Sequence, residues 1–269
     1  MAALAASSEG DAEDAAPAAL VAEFHSRGFV RVDSLLETAS VERLRVYLEQ
    51  KFHECLSIVS ENDEALGIGA RNGFVEIVQR HEKRFEMRYG LSEEDDCSEL
   101  SEIAGDPVLL RLVQGILGAD AVLLSRSLVI AMPGAGDQKW HEDGPHLTQE
   151  KHLPCHVLNV FVPLKDMSLE LGPTELRPAS HFTTRKPHLW LAAVARKQWF
   201  PAERPILKAG DVLVFDYRVQ HRGLANRSSV SRPIAVLTFA KPFYRDILNF
   251  PPKRSIFGAC ASSAGDAQA

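Results

Sequence analysis

The spacing of apolar residues predicts helices mainly in the first half of the chain. In Ser40–Leu56 apolar side chains recur about every 3.6 residues, which predicts an amphipathic helix with Ser40 as its N-cap. Asp106 is suited to cap another helix, because Pro107 follows it at the first helical position. The predicted helices are Ala18–Arg27, Ser40–Leu56, the charged stretch Glu76–Met87 and 107–117.

After Ala121 the sequence pattern changes to short runs rich in β-forming residues. These runs are separated by Pro, Gly and Asp, and such a series of short strands is typical of a sandwich or barrel. Helices followed by strands indicate an α+β fold in which the helices brace a β core. The predicted strands are Phe29–Val32, Val122–Met132, His156–Leu164, Thr174–Pro178, Val212–Phe215 and Ile234–Phe239.

The two ends of the chain have little to bury. Residues 1–17 and 258–269 are mostly small, polar or acidic, so we expect disordered tails around one folded domain at 18–257. No apolar run reaches the roughly 18 residues of a membrane span. The acidic N-terminus matches neither a secretory nor a mitochondrial signal, so we expect a cytoplasmic protein.

The charge limits the classes of partner, and the cysteine spacing indicates the redox state of the thiols. The formal charge is −6 and no basic stripe is present, which argues against nucleic acid and favours a small-molecule partner. The four cysteines form no closely spaced pair, so we expect reduced, partly buried thiols. Oligomeric state is left open.

Candidate chemistry begins at Trp140-His141-Glu142-Asp143. On an extended segment, residues two apart share one face, so the His141 imidazole and the Asp143 carboxylate can bind the same divalent ion. Alone, this spacing is a weak signal. A second histidine, His221, follows the predicted buried strand Val212–Phe215. Two histidines and one carboxylate leave open positions suited to iron(II).

Arg232 completes the pattern at the start of the last predicted strand. A guanidinium fork matches a carboxylate, so Arg232 is predicted to hold the distal carboxylate of 2-oxoglutarate while the keto acid chelates iron. We expect its strand to run beside the one that bears the metal.

The motifs together resemble the phytanoyl-CoA dioxygenase family of iron/2-oxoglutarate oxygenases, from about Phe24 to Phe257. The resemblance implies a double-stranded β-helix (jelly-roll, cupin-like) with iron(II), 2-oxoglutarate and O2 at its open end. It also implies oxidation of a substrate C–H bond, with succinate and CO2 as co-products. The segments that carry it are Phe24–Val30, Trp140–Asp143, Gly172–His181 and Gly210–His221 with Arg232.

The sequence departs from the family pattern at two wall positions. Leu171 precedes Gly172 where the family often has Asn, and Ala179 replaces the glycine of a Pro-Gly-Ser-His turn. Asp143 is retained, whereas related halogenases have a small residue there. The resemblance therefore implies hydroxylation or desaturation, with the substrate unassigned.

Further cosubstrate contacts are predicted on two strands. Asn159 and Phe161 share one face of their strand, and an inward face would let Asn159 bond 2-oxoglutarate while Phe161 walls the pocket. On the preceding strand, Ser127 or Arg126 is expected to reach the cosubstrate.

Several nearby side chains have an ordinary alternative role. His146 is expected to line the pocket, His156 to be a satisfied core or surface residue, and His181 to make a structural hydrogen bond; His152 is a weaker candidate ligand. Trp140 packs beside the metal in this prediction.

Tyr217 and Arg218 are expected to face the substrate. Residues 80–88 are expected to be a solvated helix face or, alternatively, a basic lid. Two other functions stay open: a non-catalytic β-helix binding protein, and a cupin-like metal hydrolase or isomerase that has no need of Arg232.

Overall fold

The computed structural model describes residues 9–62, 66–89, 98–148, 150–183, 201–246, 249 and 255–257. No helix in this described part is long and apolar enough to cross a membrane. The helices are α1 (Glu9–Arg27), α2 (Thr38–Glu61), α3 (Ser98–Ala104) and α4 (Pro107–Leu117). The strands are β1 (Phe29–Val32), β2 (Ile77–His81), β3 (Arg84–Arg88), β4 (Val122–Ala131), β5 (Val157–Pro163), β6 (Thr174–Leu176), β7 (Val212–Asp216), β8 (His221–Gly223) and β9 (Arg232–Ala240).

A seven-stranded antiparallel sheet forms the centre of the protein, in the order β1-β7-β5-β9-β4-β3-β2. Its strands alternate between two cores because successive side chains point to opposite faces. On β9, Ala235 and Leu237 pack against the helices, while Ile234 and Val236 face the opposite side. One face is therefore covered by α1, α2 and α4, and the other is available to form a cavity.

A small sheet of β6 and β8 covers that second face. Two bridges widen it: His141 pairs with His221, and Leu176 pairs with Glu203. Phe215 and Leu176, from the two sheets, lie in the same apolar cluster. The two sheets enclose a cavity between them, and this is the predicted double-stranded β-helix braced by helices.

The prediction of a helix at Glu76–Met87 is wrong. This stretch is the β2–β3 hairpin, with Ile77 opposite Met87 and with Lys83 in a left-handed conformation at the turn (φ 59°). From Arg84 to Arg88 charged and apolar residues alternate, so one face joins the helical core and the other faces the cavity. Arg80, Arg84 and Glu86, whose charges resembled a solvated helix surface, line the cavity. Glu82 and Lys83 at the turn are exposed.

The other boundaries agree more closely, with two corrections. Helix α1 begins at Glu9, within the segment predicted to be a tail. Helix α2 begins at Thr38 with Glu37 at its N-cap and no side-chain cap, so Ser40 lies inside the helix. Residues 1–8 and 258–269 lie outside the described part, as do Cys97 and Cys260; Cys55 and Cys155 are not in a disulfide.

Asp106 caps α4 as expected. Its carboxylate accepts hydrogen bonds from the backbone N–H groups of Val108 and Leu109, both at 2.9 Å. This helix packs closely on α1: a Cβ added at Gly115 would lie 2.7 Å from Val21.

Candidate metal and cosubstrate site

Three side chains meet at the open end between the sheets. One ligand atom each from His141, Asp143 and His221 lies within 4.8 Å of the others. Nε2 of His141 is 3.7 Å from one Asp143 oxygen, and Nε2 of His221 is 3.5 Å from the other. The segments of the two histidines are paired through reciprocal backbone hydrogen bonds of 3.1 and 3.0 Å.

The backbone orients both imidazoles toward the centre of this triad. Nδ1 of His141 lies 2.9 Å from the Lys139 carbonyl oxygen, and Nδ1 of His221 lies 3.0 Å from that of Val219. Each carbonyl accepts the Nδ1 proton, which leaves the Nε2 lone pair facing the centre. Burial, and then the charge of His221, lower the pKa of His141, so its ring is held in the neutral form that metals bind.

A third strand holds the carboxylate. Nδ2 of Asn159 donates to Oδ2 of Asp143 at 2.7 Å, and the Asn159 carbonyl accepts a 2.7 Å hydrogen bond from the Thr238 hydroxyl. Both ends of the amide are thus engaged. The structure places Asn159 as a support of Asp143, and the predicted contact with 2-oxoglutarate would have to use its remaining N–H.

The triad opens into a cavity of about 380 Å³ between the two sheets. Phe161 and Ser127 line it. On β4, Ser127 pairs with Val236 on the cavity face, whereas Arg126 pairs with Leu237 on the helical face, so of the two candidates only Ser127 faces the cavity; its contact with the cosubstrate stays a prediction. Phe161 packs edge-on against Phe215, with ring centroids 4.7 Å apart.

Arg232 also lines the cavity, although not as expected from its strand. β9 lies between β4 and β5 in the large sheet, whereas His221 is on β8 in the small sheet, so the two residues face each other across the cavity and do not lie on adjacent strands. Arg232 is buried and its Nη1 donates to the Gly172 carbonyl. Gly172 has φ 79°, and a Cβ there would lie 2.4 Å from the Leu224 carbonyl oxygen.

The model of the family "Phytanoyl-CoA dioxygenase (PhyH)" matches residues 24–234. This chain belongs to the phytanoyl-CoA dioxygenase family. The resemblance inferred from the motifs is therefore confirmed, and the matched range includes both stretches that supply the triad and the arginine that faces it.

Solved structures share the fold of this phytanoyl-CoA dioxygenase family member at low sequence identity. AviO1 from Streptomyces viridochromogenes Tue57 is similar with TM-score 0.61 and 20% identity, over 86% of this chain and 97% of that one. The epimerase SnoN, in complex with Fe3+, alpha ketoglutarate and nogalamycin RO, has TM-score 0.58 and 18% identity, over 87% of each chain. HygX from Streptomyces hygroscopicus, with nickel and 2-oxoglutarate bound, has TM-score 0.57 and 15% identity, over 84% and 87%.

One of the two departures from the family pattern, Ala179, lies at a strained backbone position. Ala179, where the family turn usually has glycine, adopts the left-handed conformation at φ 60°. A side chain there costs backbone energy that glycine avoids. The other departure, Leu171, is buried in the apolar cluster beneath the small sheet.

Two residues close to the triad in sequence, Trp140 and Arg218, have structural contacts. Trp140 lies between the guanidinium groups of Arg177 and Arg222, 3.9 and 4.7 Å from its ring centroid. Arg218 does not face the substrate as predicted: it is buried in an ion pair with Asp216 at 2.7 Å. Burial raises the pKa of Asp216, but the hydrogen bonds and charge of Arg218 outweigh this and hold it below its usual value.

Tyr217 does line the cavity, in a network that sequence reasoning missed. Its hydroxyl donates to Asp246 at 2.8 Å. Nδ2 of Asn249 lies 2.9 Å from the backbone carbonyl oxygen of Asp143 and 3.1 Å from the Tyr217 hydroxyl. The backbone carbonyl of Asn249 accepts a hydrogen bond from Arg80 at 3.0 Å. Asn249 thereby joins the hairpin to the segment that carries the triad.

His81 lines the same cavity as the triad, and burial, followed by the charge of His141, lowers its pKa. The described histidines between the two ligand motifs do not line the cavity. Nε2 of His181 is 3.3 Å from the His25 carbonyl oxygen, a structural hydrogen bond as expected. His156 is buried in the core as predicted, but neither ring nitrogen has a hydrogen-bond partner among the described residues. His146 does not line the cavity as expected; its ring lies 6.3 Å from that of His152. Within the described part, the triad is the one metal-competent cluster of its kind.

Proposed function

We propose that this protein is a non-haem iron(II)- and 2-oxoglutarate-dependent dioxygenase that oxidises a C–H bond of a small-molecule or acyl substrate. The observation that carries the proposal is the convergence of His141, Asp143 and His221 on one point at the mouth of a cavity that also contains Arg232. Neither feature alone would be sufficient. A cupin-like hydrolase would use the triad but would have no use for a buried guanidinium in the same cavity.

The donor set fits iron(II). Two imidazole nitrogens and one carboxylate on the same side of a metal are the ligands of non-haem iron oxygenases, and they leave adjacent positions open. Here Nδ1 of each histidine is taken by a backbone carbonyl, and Asn159 holds the carboxylate. Iron(II) bound there would supply the site at which a 2-keto acid is chelated and dioxygen is activated.

The cavity fits 2-oxoglutarate. The Arg232 side chain is buried, and its Nε has no partner in the described part of the chain. A buried guanidinium with an unused N–H is costly unless an anion meets it. Arg232 would therefore bind the far carboxylate and fix the orientation of the keto acid toward the triad. Phe161 and Val236 would flank the carbon chain and keep water out.

The surrounding residues would hold the substrate without supplying a base. Burial, followed by the charges of Asp143 and Asp246, raises the pKa of Tyr217 far above its usual range, so its hydroxyl stays protonated. Tyr217 and Asn249 are thus hydrogen-bonding groups at the cavity wall.

The outcome proposed for the substrate is hydroxylation or desaturation. Retention of Asp143 supports this, because the carboxylate occupies the ligand position that halogenases leave open. SnoN, an epimerase solved with Fe3+ and alpha ketoglutarate, and HygX, solved with nickel and 2-oxoglutarate, support the choice of metal and cosubstrate.

The test is iron-dependent conversion of 2-oxoglutarate to succinate. His141→Ala, Asp143→Ala and His221→Ala should each reduce it by more than about 100-fold, because each removes a metal donor. Asp166→Ala, which removes a carboxylate bonded to the Ala209 backbone, is the matched control and should keep full activity. Full activity in any of the three triad variants would reject the assignment.

A further inference from the structure

A second buried arginine, Arg84, lies beside Arg232 at the closed end of the cavity. Arg84 opens β3 and is 3% exposed. Its Nε and Nη2 donate to the carbonyl oxygen of Gly136 at 3.1 and 2.8 Å, and Nη2 also reaches those of Gly223 and Leu224 at 3.2 and 2.6 Å. Its Nη1 is buried and has no partner among the described residues.

Sheet register brings the two guanidiniums together. Ala131 of β4 pairs with Arg84 on one side and with Arg232 on the other, so the three residues share one face. The small Ala131 side chain leaves space between the arginines. A Cβ built at Gly223 would lie 2.6 Å from Oε1 of Gln138, which accepts the Gly223 N–H, 2.7 Å from Nη1 of Arg84 and 3.2 Å from Nη2 of Arg232. Both guanidiniums therefore border one gap, which Gly223 keeps open.

The protein does not neutralise this pair with a contact. Among the described residues, no carboxylate lies within salt-bridge distance of Arg84 or Arg232. Burial lowers the pKa of Arg84 to about 10 despite the opposing charge of Asp137, and burial together with the charge of Arg84 lowers that of Arg232 to about 9. Two buried cations with unused N–H groups are unfavourable until an anion fills the gap.

We infer that Arg84 is a second binding residue for the cosubstrate, so that the far carboxylate of 2-oxoglutarate lies between Arg84 and Arg232. The inference rests on the proposed function. It assigns Nη1 of Arg84 as a donor to that carboxylate, while Nε and Nη2 stay fixed by three backbone carbonyls. Because the guanidinium is already held in place, little side-chain freedom is lost on binding.

The test compares two keto acids on the nickel(II)-loaded protein by calorimetry. 2-Oxopentanoate has the same keto-acid end and chain length as 2-oxoglutarate but no far carboxylate. Arg84→Met should weaken binding of 2-oxoglutarate by about 10–100-fold and leave 2-oxopentanoate within about 3-fold. The preference of the wild type for the dicarboxylate should fall accordingly. Arg227→Met, an exposed arginine of the β8–β9 loop, is the control and should keep that preference.

Equal weakening of both keto acids, or an unchanged preference, would overturn the inference, because a merely structural arginine does not distinguish them. Gly223→Ala tests the same gap with both charges kept: its methyl group should also remove the preference, and retention would count against the inference. If the wild type itself binds no 2-oxoglutarate, the proposed function fails. If the wild type binds it and Arg84→Met keeps the preference, only this inference fails.

Discussion

The two ends of the cavity differ in how many of their polar atoms already have protein partners. At the triad end, both Nδ1 atoms and the Asp143 carboxylate already have protein partners, and His141 is partly exposed. At the closed end, Arg84 and Arg232 are buried, and each retains a nitrogen without a partner in the described part of the chain.

This difference indicates a division of roles. The triad end is oriented before any ligand arrives, so a metal meets a pre-formed site at little cost in ordering side chains. The closed end contains two buried cations that have no salt-bridge partner among the described residues, so an anion contributes both binding energy and relief of an unfavourable burial. The metal and the anion should therefore bind through different residues, so that a substitution at one end affects one ligand only.

Removal of the Arg232 charge at the closed end should have the largest effect, and this effect should be on the binding of 2-oxoglutarate. Arg232→Met should raise the dissociation constant of 2-oxoglutarate by about 100-fold or more, because the Nε and Nη donors are lost in a buried place. Bound iron, measured by atomic absorption, should stay at the wild-type level. Loss of iron from this variant would contradict the separation of the two ends.

Loss of the hydrogen bond that supports Asp143 should have an intermediate effect, and it should weaken the binding of iron(II) rather than that of 2-oxoglutarate. Asn159→Ala removes the hydrogen bond to Asp143 and should weaken iron(II) affinity by about 10–100-fold. Thr238→Val, which removes the partner of the Asn159 carbonyl, should have a smaller effect in the same direction. Anaerobic metal competition measures both. Asn72→Ala, at an exposed turn, is the control, and iron affinity in Asn159→Ala equal to that in the control would refute this role.

The last prediction concerns two buried histidines that do not line the cavity, and it is measured on stability and not on ligand binding. Burial holds the pKa of His156 and His181 at about 4, against 6.5 when unfolded. Between those values the unfolded chain binds protons that the folded chain does not. The free energy of unfolding should therefore fall as pH drops from about 6.5 to about 4, by up to about 1.4 kcal/mol per pH unit for each histidine.

His156→Phe isolates one of these contributions, because it keeps a planar ring but removes the titrating nitrogens. Urea unfolding of the metal-free protein, measured across that pH range, should show a slope reduced by up to about one proton relative to the wild type. An unchanged slope would mean that His156 already finds a partner for its proton in the folded state.

The motif residues could be predicted from sequence because local spacing determines their placement. His141 and Asp143 share a face through strand geometry, and His221 follows a buried apolar strand that ends at a turn. Arg232 lines the same cavity as the triad, but its strand does not lie beside that of His221 as predicted. Strand order in a sheet depends on long-range pairing, which local pattern does not contain.

Arg84 was missed for a different reason. Its charged neighbourhood resembled a solvated helix, and the carbonyls that hold it belong to Gly136, Gly223 and Leu224, far away in the chain. The alternation of charged and apolar residues from Arg84 to Arg88 was the available signal for a strand. The role of Asn159 likewise depends on its meeting Asp143 across the fold, and the sequence showed only that Asn159 and Phe161 share one face.

The most direct test of the central claim is anaerobic calorimetric titration of the metal-free protein with iron(II), followed by 2-oxoglutarate. The account predicts one equivalent of iron in the wild type and tight binding of 2-oxoglutarate only after iron is bound. Asp143→Ala should lose both steps, whereas Arg232→Met should lose only the second. Equal binding of 2-oxoglutarate with and without iron, or unchanged iron binding in Asp143→Ala, would contradict it.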